Sequence, residues 1–273
     1  MSLTFFQTKD NCVAAAIGDF TVAWIERNGL WSGRMTFSKA PREDLTASDF
    51  DWHWASAATL TEFKLAAGEY EAHLSKMAGL NRRNIPNLST PWGKSHTARE
   101  YQPGIIKVTT AGHGGFLLNP DLNDVIDPEW RSRNGEYEED ICWAIVAHTF
   151  PELFTSWEMR PANRILKDNW PYIFERLTGT VIPPSESETK RRDAFFLQHS
   201  GKWMDRTYNQ AKTDPTKTLI QATVEAGPPS NGVRYYLVDT ERFKNQRSAR
   251  GSFAYVIDEA LDVRVSENEQ RLN

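Results

Sequence analysis

The sequence predicts an α+β protein, and three observations carry that prediction. Residues 12–37 read as strands broken by tight-turn signals. The middle of the chain holds stretches with apolar residues at helical spacing. From about residue 218 onward, short β-branched and aromatic runs return, which predicts a C-terminal antiparallel sheet.

Taken in order, CVAAAIGDFTVAWIE at 12–26 is strand-like, with Gly18–Asp19 placed to turn it. Asn28–Gly29 is a stronger hairpin signal and leads into LWSGRMTF at 30–37, giving an N-terminal β-meander. Residues 38–54 are polar and irregular, ending in DFDWHWAS. Ser56 is placed to cap a helix running to about Met77, because Leu60, Phe63, Ala67, Tyr70 and Leu74 recur at helical spacing. Gly79 and NRRNIPNLSTP close that helix and make a loop.

Next, GIIKVTTA at 104–111 and GFLLN at 115–119 predict a central hairpin packed on helices. Gly112, Gly114 and Gly115 supply its tight turn and place His113 in the loop. Residues 120–136 hold at most a short helix. YEEDICWAIVAHTF at 137–150 predicts a helix stopped by Pro151, with Ile141, Ile145 and His148 on one face. A further helical pattern covers 161–177, interrupted by Pro171. VIPPSESETKRR at 181–192 is a candidate linker, with a helix over 187–204. LIQATVEAG, VRYYLVDT, FAYVIDE and LDVRV then read as four strands. Three parts are expected: 1–89, 90–180 and 181–273.

Composition narrows the function. A net charge of −4 argues against a protein that coats nucleic acid. Cys12 and Cys142 make neither a disulfide framework nor a zinc knuckle, which points to a reducing interior. MSLTFFQTKDNC has no basic region followed by an apolar run, and no stretch reaches membrane-span length, so a soluble cytoplasmic protein is expected. Ten tryptophans, with 14 Phe and 8 Tyr, serve the core and supply partner surfaces.

The residues placed to carry chemistry are His113 and the trio Glu138, Glu139 and Asp140. On a helix each residue turns about 100° from the last, so at most two of the three carboxylates meet one imidazole. Such a pair would transfer a proton; carboxylates in a first helical turn also simply favour the macrodipole. A metal set of His113 and His148 with Glu138 or Glu139 is incomplete, so neither metal nor cofactor is assigned. No Gly-x-Ser-x-Gly elbow, P-loop or dinucleotide fingerprint occurs. Candidate binding residues are Trp52, Trp54 and Trp92, the three glycines, and Arg242, Lys244, Arg247 and Arg250 of a basic loop suited to phosphates.

Residues 90–154 add a resemblance. Trp92–Gly93, Thr110–Ala111–Gly112–His113–Gly114–Gly115, Tyr137–Glu138–Glu139–Asp140 and Trp143–Ala144 resemble the recurring features of a domain of unknown function found in proteins of plasmids, phages and other mobile elements. The resemblance implies work on host defence or DNA metabolism, with no established activity. Three readings follow. The first is an accessory protein binding a host protein, for instance to blunt a defence system. The second is a hydrolytic or nucleotide-processing enzyme using His113 with Glu138 or Glu139. The third is a DNA-binding accessory protein using the basic loop.

Overall fold

The computed structural model describes residues 3–224, 232–249 and 251–266. The architecture is α+β, and the chain divides into two compact units, Met1–Leu166 and Lys167–Asn273.

The first unit opens with a five-stranded antiparallel meander: β1 (Phe5–Gln7), β2 (Val13–Ile17), β3 (Phe20–Arg27), β4 (Leu30–Thr36) and β5 (Trp52–Ala55). Asn28 and Gly29, at φ 56° and 77°, let Arg27 pair directly with Leu30, the turn that an Asn-Gly dipeptide favours. Strand alternation then sorts the core. Ala15, Ile17 and Val22 face α1 (Leu60–Gly79), which returns Phe63 and Ala67, fully buried, with Leu60, Tyr70 and Leu74 beside them. Ala14, Ala23 and Ile25 face the other way and are covered by Leu45 and Phe50. The polar stretch 38–51 is therefore a lid on the sheet, and Trp52–Ala55 beyond it is an edge strand. Helix α1 is capped by Thr59, not Ser56: Glu62 N donates to Thr59 Oγ1 at 3.2 Å and Thr59 N donates to Glu62 Oε2 at 3.1 Å. That reciprocal pair satisfies two amides that a Ser56 cap would have left open.

After β6 (Arg83–Asn84) and the small hairpin of β7 (Ser89–Thr90) and β8 (Gly93–Lys94) come β9 (Thr97–Gln102), β10 (Ile105–Thr109) and β11 (Gly114–Leu118). Helix α2 (Pro120–Val125) leads to β12 (Glu136–Glu138), completing a sheet of order β12-β11-β10-β9-β6. The expected 137–150 helix is corrected here. Residues 136–138 pair with Leu117–Gly115, Glu139 N donates to Gly114 O at 3.0 Å, and α3 spans only Trp143–Thr149. The acidic trio thus lies in a strand and a turn, and α3 has no acidic residue in its first turn. Helix α4 (Ser156–Asn169) carries Pro161 inside it, starting five residues before the expected 161.

Packing lowers the proton affinity of two histidines of this unit. His73 Nδ1 lies 2.7 Å from Thr155 Oγ1, and His148 packs edge-on to Trp130 at 5.4 Å. Burial pushes both imidazoles below their ordinary value, in His73 with Arg82 assisting and Glu158 opposing. The folded chain therefore binds fewer protons than the unfolded chain between the folded and unfolded values. Their contribution is complete above the unfolded value of about 6.5 and is lost as pH falls through the folded values. Thermal melts between pH 7.5 and 5.5 should show the midpoint falling on acidification, less steeply in His148→Phe; a flat wild-type profile would contradict this.

In the second unit, α5 (Pro171–Thr178) and α6 (Glu188–Gln198) precede a four-stranded antiparallel sheet of β13 (Met204–Gln210), β14 (Lys217–Thr223), β15 (Arg234–Asp239) and β16 (Val263–Val265). Ile220, Ala222, Tyr236 and Val238 form its core with Phe243, Tyr255 and Ile257. Two expectations change. FAYVIDE makes only a single bridge, Val256 to Met204, while the polar run MDRTYNQ takes a full strand's place. The basic loop is a helix, α7 (Thr240–Ser248), because Asp239 Oδ1 accepts from Arg242 N at 3.0 Å and caps it. The candidate linker is partly structural: Ile182 and Ser187 are buried, and Ser187 caps α6.

Candidate functional site

Between the second sheet and the helices beyond it lies an open cleft of about 400 Å³. Lys107 and Thr109 of β10, Gly115 and Phe116 of β11, Glu139, Trp143 of α3, and Phe154, Trp157, Glu158 and Pro161 line it. Pairing of Lys107 with Phe116 and Arg99 puts these residues on one sheet face, and Phe116 packs against Tyr101 and Phe154 at 5.1 and 5.6 Å.

The glycine motif serves this cleft rather than the hairpin turn. Gly112 has no positive φ and open space around it. Gly114 and Gly115 lie in β11. A methyl on Gly115, at φ +146°, would sit 2.9 Å from the Tyr137 carbonyl carbon and closer still to its oxygen. One on Gly114 would meet the Glu139 carboxylate and the Val108 carbonyl. The bare backbone lets β12 approach and lets Glu139 lie across β11 into the cleft.

The acidic trio separates. Glu138 Oε2 accepts from Asp140 N at 2.8 Å, closing its own turn, and Asp140 is exposed. Glu139 reaches the cleft, and its carboxylate makes no hydrogen bond or ion pair among the described residues. His113 is exposed in the loop. Its carbonyl accepts from Thr110 N and Oγ1 at 2.8 and 2.7 Å, and its ring contacts none of the three carboxylates among the described residues.

Three charged residues sequence reasoning missed shape the cleft. Arg82 holds Glu158 through two hydrogen bonds of 3.1 and 3.0 Å, and its guanidinium stacks 3.8 Å from the Tyr101 ring centre. Burial pushes the Glu158 carboxyl up, but the bonds from Arg82 and from the Thr155 amide, with the Arg82 charge, outweigh it and hold it below its ordinary value. Lys107 keeps access to solvent through the open side, yet surrounding protein suffices for desolvation to lower its ammonium; Glu158 and Glu139 oppose that, and Arg82 and Arg99 add to it. No local pattern in GIIKVTTA or SWEMRP marks Lys107 or Glu158; only the sheet register and α4 bring them together.

The remaining candidates lie elsewhere. Trp54 is half-buried, packed on Phe63, Tyr70 and Trp157. Trp52, by contrast, is 64% exposed; it stands opposite Met35 on the edge of the meander, where Phe37, 57% exposed, leans on Phe20 at 5.9 Å. Trp92 is half-buried in the β7–β8 turn. In the second unit Arg242 pairs with buried Asp262, and Arg247 pairs with Asp205 at 3.7 Å while donating to Phe253 O at 2.7 Å. Lys244 pairs with Glu241 at 3.1 Å. The basic residues thus carry structural partners, although Lys244 and Arg247 also border a hollow of about 430 Å³ with Tyr208 and Phe243. Arg250 lies outside the described residues.

Neither Cys12 nor Cys142 is in a disulfide, and burial pushes the Cys142 thiol up, away from nucleophilic chemistry. Among the described residues no group of three His, Cys, Asp or Glu could hold a metal ion, and no helix is long and apolar enough to cross a membrane.

Residues 86–200 match a family described as a domain of unknown function (DUF7007). The matched stretch includes β9 to β12, α3 and the whole cleft lining. No curated protein and no solved structure matches the chain.

Proposed function

We propose that the chain is an accessory protein of a phage or plasmid that binds a host protein through the aromatic edge of its N-terminal meander. The observation that carries this reading is a pair of aromatic rings more than half open to water, Trp52 on the edge strand opposite Met35 and Phe37 against Phe20. Exposed apolar surface of this kind gains roughly 25 cal/mol per Å² when covered, and tryptophan and phenylalanine are enriched at the centres of interfaces. The mobile-element context is supported by the resemblance over residues 90–154. A second reading, a hydrolytic or nucleotide-processing enzyme, is favoured by one observation: Glu139 faces a cleft with its carboxylate unspent. In that reading Glu139 works beside Lys107, because His113 stands apart from the carboxylates.

The test is retention of host proteins from a bacterial lysate by immobilised wild type, Trp52→Asp, Phe37→Asp and His113→Ala. All three positions are exposed; His113→Ala should lie within about 0.5 kcal/mol of wild type, and the two aspartates, which give up contacts to Met35 and Phe20, within about 1–2 kcal/mol and still folded. One protein is expected at near-stoichiometric yield on wild type and His113→Ala, and reduced about tenfold or more by either aspartate. Equal retention on all four would overturn the reading.

A further inference from the structure

We infer that the cleft between β10, β11, α3 and α4 is a binding site for a small zwitterion, a free amino acid, with Lys107 taking its carboxylate, Glu139 its ammonium and Trp143 its side chain. The inference stands apart from the docking edge and rests on four features of the cleft.

First, Lys107 and Glu139 face the same space but form no ion pair within 4.0 Å, and neither makes a side-chain hydrogen bond among the described residues. An ammonium and a carboxylate held apart in one cleft leave a gap that a ligand of both charges fills. Second, the other carboxylate of the cleft is already spent. Glu158 is neutralised by Arg82 through paired hydrogen bonds and also accepts from Thr155 N at 2.8 Å. Arg99, opposite Lys107 across the sheet, adds positive charge at that end: a lone cation drawn to Glu139 meets Lys107 and Arg99, while a carboxylate gains at Lys107. Only a ligand carrying both signs gains at both ends.

Third, the apolar lining suits a side chain. Trp143 is half-buried, with no ring partner and no acceptor for its indole N–H among the described residues, while Phe116 and Phe154 form the floor. A volume of about 400 Å³ holds an amino acid with a large side chain and little more than its bound water. Fourth, the wall is bare where Glu139 passes. Gly114 has no side chain between the Val108 carbonyl and the Glu139 carboxylate, so the carboxylate lies directly over β11 at the cleft.

The experiment is calorimetric titration of the full chain with each of the twenty amino acids. The best binder is then compared with its decarboxylated amine and its deaminated acid; for phenylalanine these are 2-phenylethylamine and 3-phenylpropionate. The inference expects at least one amino acid to bind saturably, about tenfold or more tighter than either fragment. Lys107→Met should remove the advantage over the amine, and Glu139→Gln the advantage over the acid. Lys107→Arg, which keeps the charge, should retain most of the affinity. Glu139→Gln changes a side chain that makes no bond in the fold, so it remains informative even where Lys107→Met does not fold. No binding by any amino acid, fragments that bind as well as the zwitterion, or affinities unchanged in Glu139→Gln would overturn the inference. An amine alone binding would point to an organic cation; an acid alone would point to an anion.

Discussion

Gly115→Ala is expected to destabilise the first unit by about 3 kcal/mol or more. Two effects add. The residue sits at φ +146°, which L side chains rarely adopt, and its new methyl would land on the Tyr137 carbonyl. Neither can relax cheaply, because Tyr137 is buried and its hydroxyl is tied, donating to Asn123 Oδ1 at 2.6 Å and accepting from Ser132 N at 3.0 Å. At about 2–4 °C per kcal/mol for a unit of this size, the melting midpoint should fall by roughly 6–12 °C. Gly112→Ala is the matched control. With ordinary φ and open space it should be neutral, or slightly stabilising through the lost freedom of the unfolded chain. Similar losses from both substitutions would show that the glycines act together as a turn, and would refute their assignment to the approach of β12.

The second large effect is expected at Arg82. Its side chain is 7% exposed and that of Glu158 is 19% exposed. Arg82→Ala leaves the carboxylate in that setting without its cation, and should cost about 3–5 kcal/mol. The guanidinium also donates to Leu153 O at 2.7 Å and covers the Tyr101 ring, so the loss includes packing as well as charge. The double variant Arg82→Met, Glu158→Leu should recover most of the loss, because it removes both charges together. The pair also has a signature in acid. Since Glu158 titrates below its ordinary value, its contribution is present above the unfolded value and is lost as pH falls through the folded one. Chemical denaturation of wild type and the two variants checks this; a cost below about 1 kcal/mol for Arg82→Ala would place the pair among weak surface ion pairs.

Local rules made the meander legible: Asn28–Gly29 turns as such dipeptides do, and alternation over 13–27 sorts the two faces. The same rules found the core face of α1, with Leu60, Phe63, Ala67, Tyr70 and Leu74 all in its cluster. Its cap was legible too, as Thr59-x-x-Glu62, but the nearby Ser56 drew attention from it. The 137–150 segment misled for a physical reason. Ile141, Ile145 and His148 keep helical spacing, but residues 136–138 gain a ladder with β11 only because distant glycines leave room. That information is not local. The strand Met204–Gln210 shows no apolar alternation because five of its seven residues are exposed, so only pairing with β14 defines it. For the candidate site, Glu139 and Gly115 stood in visible motifs, whereas Lys107, Glu158 and Arg82 come from three segments that only the tertiary fold unites.

The central claim, a partner-binding edge on the meander, is tested most directly by a photo-crosslinking residue placed at position 52 or 37, with exposed Asp121 of α2 as the control position. The account predicts one discrete adduct with the same bacterial host protein from positions 52 and 37, and none from 121. No adduct from 52 and 37, or the same adducts from all three positions, would contradict it.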